Sequence, residues 1–336
     1  MSELDQRVRI RTYREGDGPA ICRGFERVFG QPRTREEWAW KHPPATRGET
    51  VMIAERDGEV LAHFAALPVS LRVDGRTVRA GQAVDVYSTR RPGVFLRLVD
   101  RFYAELCGPG RLELLYGFPG DRHFRLGVRR LRYSQPVPVP FWTRTLGSRD
   151  PGTGLGTGEG RRSALRRWAG RLRRGGVSRG FNQAAVEDLW RRAAARYPVA
   201  AVRDRGWIGR RFVGRPAVDY RHLLVQHRGR CAALAVVRVA DGVLHWAELV
   251  WDGRQPETLA ALDDEAIAVA REAGVSECRL WLGRDPAAEA VLESQGWRRA
   301  TEPQDLHVGA VSFLPDLDAL EVCRRLYLTM GDADLV

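Results

Sequence analysis

The two halves of this chain repeat one order of elements, and that repetition limits the folds open to it more than any other feature. TVMIAE (50–55), an Asp57-Gly58 turn and EVLAHFAALPVSL (59–71) form an apolar hairpin. A third alternating strand runs through Asp85. An amphipathic helix follows, with Phe95, Leu98, Val99, Phe102 and Leu106 on one face. Next come a buried strand, LELLYGF (112–118), and a short helix predicted from Asp121 to Leu126 and ending at Gly127. In the second half, YRHLLVQHRGRCAALAVV (220–237) aligns with the hairpin and LHWAELVW (244–251) with the strand through Asp85. ETLAALDDEAIAVAREAG, CRLWLG and DPAAEAVLESQGW then repeat the helix, strand and short helix. Two units of roughly 150 residues with one element order imply a duplicated α/β fold built on mixed sheets.

Three further elements precede the first hairpin. RVRIRTY (7–13) alternates as a strand, residues 17 to 30 have a helical period ending at Gly30, and Thr34 is placed to cap a second helix that carries Trp38 and Trp40. The tail RRLRYSQPVPVPFW (129–142) is expected to close the first unit. These signals divide the chain into a first domain (1–147), a linker (148–180) and a second domain (181–336). The linker begins glycine-rich and without apolar periodicity.

Charge is concentrated in that linker. Residues 161–179 hold eight arginines and no acid, so removing them from a net charge of +12 leaves only +4 for the rest. The segment reads first as a solvated connector; only through it could nucleic acid or an anionic surface be a partner, and it could form a helix over 161–174. Lys41 is the single lysine among 54 basic side chains, which points to a coding bias toward arginine. The five cysteines are scattered and form no CxxC pair, so no metal site or disulfide framework is expected. No apolar run approaches membrane-spanning length, the N-terminus lacks a signal-peptide core, and a cytoplasmic location is expected.

The chemistry is expected around GQAVDVYSTRRPG (81–93). Alternation puts Val84 and Val86 on one face of a strand and Asp85 and Tyr87 on the other. Two arginines, a proline and a glycine then lead straight into the helix. The free N–H groups and dipole of a helix N-terminus, reinforced by arginines, suit a polyphosphate.

This order of elements resembles the GCN5-related N-acyltransferase (GNAT) superfamily, here as a tandem pair covering nearly all of the chain outside the linker. In that superfamily the phosphate turn is a Gln/Arg-x-x-Gly-x-Gly/Ala loop. Arg90-Arg91-Pro92-Gly93-Val94-Phe95 fits its first two fixed positions and departs at Phe95. GFPGDRHFRLGV (117–128) has the form of the helix that follows. The resemblance implies acetyl-CoA as co-substrate, bound by Val86, Ser88, Arg90, Arg91, Gly93 and Val94, with no metal. The second half has DGRQPETL at the matching turn and lacks the spacing, so the first lobe is expected to bind the cofactor.

The resemblance also implies roles in acyl transfer to a primary amine of a small molecule or peptide. Asp85 is placed to be a base. His123, four residues before Gly127, stands where many relatives carry a tyrosine acid, and Tyr87 and Tyr116 are further candidate acids. Glu248 matches Asp85 in the second lobe. Trp38 is a candidate for the acceptor pocket, although core packing suits it as well, and Asp332 and Asp334 are candidates to hold an amine. Two other readings fit: an inactive CoA-sensing or scaffolding protein, and a tandem ligase using aminoacyl-tRNA.

Overall fold

The computed structural model describes residues 8–89, 92–147 and 176–333. Arg90, Arg91, Asp334 and most of the arginine-rich linker lie outside them. Two mixed sheets carry the fold, each built around a long antiparallel hairpin. In the first sheet, β1 (Arg9–Thr12), β2 (Val51–Arg56), β3 (Glu59–Val73) and β4 (Arg76–Ser88) pair antiparallel in sequence order. β5 (Leu114–Gly117) joins β4 in parallel. The hairpin turns are of the tight kind that needs positive φ at both central residues: Asp57 and Gly58 have φ of 52° and 77°, and Asp74 and Gly75 48° and 91°.

Helices cover both faces. α1 (Gly18–Phe29) ends at Gly30 in the left-handed region, and α2 (Arg35–Lys41) starts at Thr34 in a capping box with Glu37. They cover Val51, Ile53, Ala65, Val84 and Tyr87. α3 (Pro92–Leu106) covers the opposite face, packing Val94, Leu98 and Phe102 against Met52, Phe64 and Leu115. α4 (Asp121–Arg130) follows β5. It runs through Gly127 instead of ending there. A Cβ at Gly127 would lie 2.0 Å from the ring of Tyr133, so this glycine provides room for an aromatic ring and does not stop the helix.

The second sheet repeats the design with β10 (Arg221–His227), β11 (Arg230–Ala240), β12 (Val243–Trp251) and a parallel β13 (Glu277–Trp281). The long helix Pro256–Glu272 links β12 to β13. The lobes also exchange strands. β7 (Phe141–Thr145), expected to close the first unit, pairs with β13 and with β14 (Arg298–Ala300) of the second sheet. β15 (His307–Ser312) crosses the other way and pairs with β5 and with β6 (Val137–Pro138). One apolar core runs through both lobes, with Trp142 of β7 fully buried in it. The five cysteines are free thiols.

Candidate functional site

The site begins with one extra residue in β4. His63 pairs with Tyr87 and Ala65 with Val84, so Phe64 alone faces both Asp85 and Val86. This β-bulge puts Asp85 at φ 50° and reverses the alternation beyond it. Val84 and Tyr87 therefore share the α1–α2 face, while Val86 turns toward the α3 core. That corrects the sequence alternation, which put Val84 with Val86 and Asp85 with Tyr87.

Beside the bulge the sheet parts. β5 pairs with β4 over three rungs only, the last being Gln82–Tyr116, whereas β4 continues to Ser88. The gap opens a cleft of about 600 Å³. Phe25, Phe29, Arg33 and Glu37 line it from the α1–α2 side, and Phe64, Tyr103, Leu115 and Val311 from the α3 side, so it passes from one face of the sheet to the other. Gly117 to Gly120 and His123, at the start of α4, form one wall.

Asp85 lies in this cleft with its carboxylate already engaged. Oδ1 accepts from Arg33 Nη2 and Lys41 Nζ, each at 3.0 Å, and Oδ2 lies 3.2 Å from His42 Nε2. The side chains of Asp85, Lys41 and His42 are almost completely buried. Burial alone would raise the carboxyl's pKa, but the Lys41 charge, the His42 hydrogen bond and the Arg33 charge together hold it far below the usual carboxylate range. A carboxylate stabilised in this way has little affinity for another proton. It does hold α2 and the 30s loop against the bulge.

Behind it, His63 Nδ1 donates to the Asp85 carbonyl at 2.7 Å, and its buried Nε2 has no partner among the described residues. Burial, with a smaller contribution from His42, pushes His63 down to about 4. The unfolded histidine, at about 6.5, takes up its proton first as pH falls, so stability is lost between about pH 6.5 and 4. His63→Asn keeps a donor for the Asp85 carbonyl and removes the titration. The wild type should lose on the order of 3 kcal/mol relative to this variant between pH 7 and 4.5, measured from unfolding midpoints. Asp263, raised to about 6 by burial and working in the opposite direction, is common to both proteins and cancels. Equal acid sensitivity of the two proteins would refute this.

His123 sits on the other side of the cleft. Burial lowers its pKa, so its ring is neutral at pH 7, and Nε2 lies 3.1 Å from the hydroxyl of Tyr133. Phe95 meets the ring edge-on at 5.7 Å. The residue that departs from the family loop thus buttresses His123. Tyr133 also lines the cleft. The sequence reading missed it, and Gly127, which makes room for it, was the available signal.

The other expected site residues fall in different places. The Tyr87 hydroxyl donates to the Ile21 carbonyl at 2.9 Å, and Gly24 lies against its ring. Burial raises Tyr87 far above its ordinary value. Val86 lines the cleft and Val94 is buried in the α3 core; among the described residues, the buried Ser88 hydroxyl has no partner and Gly93 has open space around it. Trp38 is buried among Tyr13, His42 and Arg47, away from the cleft lining.

The second lobe has the same geometry with its gap filled. The β11–β12 register shifts at Val236, leaving Ala247 as the extra residue, and β13 leaves β12 after Trp246. The chain's own tail occupies the space. The Tyr327 hydroxyl donates to the Leu249 carbonyl at 3.0 Å, and a Cβ at Gly331 would lie 2.9 Å from the Ala247 carbonyl oxygen. Arg203 bonds Glu248 at 2.9 Å and also Asp332, with all three side chains buried. Burial raises the Glu248 pKa. Glu248 and Asp332 are thus each other's neighbours in a closed ion cluster.

A bulged strand, a parted parallel neighbour and a helix opening beside the gap together form the cleft. Residues 9–124 match a family model, the acetyltransferase (GNAT) domain. That match lies within the first lobe, and the chain as a whole has the GNAT-like fold in tandem. Solved structures similar to it include a GCN5-related N-acetyltransferase from Anabaena variabilis (12% identity, TM-score 0.64, covering 92% of this chain and 73% of that one). Another from Kribbella flavida has 14% identity and a TM-score of 0.60 and covers 91% and 72%. Saccharomyces cerevisiae N-myristoyltransferase with bound myristoyl-CoA has 12% identity and a TM-score of 0.55 and covers 98% and 90%. No curated protein matches the sequence significantly. Among the described residues, no helix is long and apolar enough to cross a membrane, and no group of His, Cys, Asp and Glu could hold a metal ion.

Proposed function

We propose that this chain is an acyl-CoA-dependent N-acyltransferase that moves acetyl from acetyl-CoA to a primary amine, using the first lobe alone. The observation that carries this is the cleft that crosses the first sheet at its bulge. It lets a thioester and an amine meet from opposite faces, the positioning on which such a transfer depends. The Ser88 hydroxyl, buried without a partner among the described residues, and the N-terminus of α3 flank Arg90 and Arg91 in sequence. Arg90, Arg91 and Gly93 hold the pyrophosphate, Val86 and Ser88 flank the pantetheine arm, and Val94 anchors the helix. The neutral His123 ring, with Tyr133 beside it, takes the proton lost by the attacking amine and passes it to the departing thiolate. Asp85 acts as an anchor for the bulge rather than as the base, because its carboxylate is already saturated with cationic partners. The second lobe has a structural role, its gap being filled by residues 327–333.

Thermal unfolding with and without acyl-CoA tests this directly. Acetyl-CoA at about 100 times its dissociation constant should stabilise the wild type by roughly 2.7 kcal/mol. The Arg90→Ala/Gly93→Val variant should show no such shift. An amine panel should then release CoA. A well-folded wild type that no acyl-CoA stabilises would refute the reading. A response to myristoyl-CoA but not acetyl-CoA would keep the transfer and change the acyl group.

A further inference from the structure

We propose that Tyr133 is a positioning residue: its hydroxyl oxygen accepts the Nε2–H of His123 and leaves Nδ1 to carry the proton from amine to thiolate. The inference deepens the acyltransfer reading above and rests on it. It starts from the backbone. Arg132 has φ 62°, which turns the chain back at the end of α4, and the Tyr133 N–H donates to the Gly127 carbonyl at 3.2 Å. Gly127 lies one turn beyond His123 on the same face of that helix. Having no side chain, it lets the Tyr133 ring lie against the helix, where a Cβ would meet the ring at 2.0 Å. The hydroxyl thereby comes within 3.1 Å of His123 Nε2. Phe95 packs edge-on against the histidine ring and Phe124 against the tyrosine ring.

A neutral imidazole carries one N–H, and the nitrogen without it is the one that can take a proton. Burial lowers the His123 pKa with no contribution from a charged neighbour, so among the described residues no ion pair selects the tautomer. Burial also raises the Tyr133 phenol far above its ordinary value, so it stays a hydroxyl. Tyr133 is the partner of Nε2, and Nδ1 has no hydrogen bond among the described residues. With Nε2–H donating to the phenol oxygen, the Nδ1 lone pair is free to act in the cleft, which both residues line. In the transfer the C–N bond forms as the C–S bond breaks. An amine N–H breaks as Nδ1–H forms, and Nδ1–H then breaks as the departing thiolate gains its S–H. Between those two proton steps the ring is an imidazolium with a proton on each nitrogen, so Nε2 needs an acceptor, and the phenol oxygen supplies one.

The test reads the His123 ring nitrogens of the full chain by heteronuclear NMR at neutral pH, in the wild type and in Tyr133→Phe. The signals are assigned by their loss in His123→Asn. Phenylalanine keeps the ring beside Gly127 and removes only the oxygen. The wild type should show the Nε2–H tautomer, and the variant a mixture of the two. Both are then assayed with acetyl-CoA and the most active amine from a panel of benzylamine, spermidine and lysine peptides. In Tyr133→Phe kcat should fall at least tenfold, with the KM for the amine and the binding of acetyl-CoA within twofold of wild type. A wild type protonated at Nδ1 would overturn the inference whether or not the variant folds, and so would a variant with wild-type kcat. A wild type that releases CoA from no acyl donor would overturn the acyltransfer reading, and with it the catalytic purpose of Tyr133. That failure is distinguishable because the tautomer is read without substrate.

Discussion

Replacing Arg203 with methionine is expected to destabilise the protein by about 3–5 kcal/mol, seen as a large drop in unfolding midpoint. The guanidinium is fully buried between Glu248 and Asp332, lies over the Tyr327 ring at 4.9 Å and reaches the Tyr327 and Thr329 oxygens at 3.4 Å. Removing it leaves two carboxylates facing each other without water, and at least one must take a proton or draw solvent in. Arg203→Met/Glu248→Leu/Asp332→Leu removes every charge and should recover most of the loss. The cluster also ties the tail to the gap in the second lobe, so the Arg203 variant should become protease-sensitive near residues 327–333. A single variant as stable as the wild type would mean the tail is held by its apolar contacts alone.

The second large effect is expected from Asp85→Ala, again about 3–5 kcal/mol. It withdraws the carboxylate from the buried Lys41 ammonium and from Arg33, and puts alanine at φ 50°, where aspartate and asparagine are better tolerated. Asp85→Asn separates the two causes, since it keeps the backbone preference and loses the charge. Because the folded pKa is depressed, the stability from Asp85 is present above the unfolded value of about 3.9 and is lost only as pH falls below it. Activity between pH 5 and 9 should therefore show no limb from Asp85, and Asp85→Asn should lower the whole profile without moving its shape. A limb that disappears in Asp85→Asn would make Asp85 a base after all.

Much of the fold was legible in local signals. The Asp-Gly turns, the capping box at Thr34 and Glu37, the Gly30 stop and the apolar face of α3 are set by residues close in sequence. Their repetition made the duplication visible. Of the candidate site, the strand through Asp85 and the position of His123 were legible too. One sequence signal was misjudged. The single lysine of an arginine-rich chain, taken for a by-product of composition, proved to be a buried partner of Asp85.

The sequence by itself determined that strand, turn and helix follow one another twice, because hydrogen bonding within hairpins and helices depends on neighbours along the chain. Tertiary structure decided the rest. Alternation names the buried face of a strand but not its partner, so the exchange of β7 and β15 could not be seen in it. A bulge is one residue without a distinctive type, yet it moved Tyr87 onto the face of Val84, turned Val86 to the other, and put Asp85 beside Arg33 and Lys41. Arg211 bonds both Gln82 and the Ala333 carbonyl, each more than a hundred residues away in sequence and adjacent only once both lobes have packed.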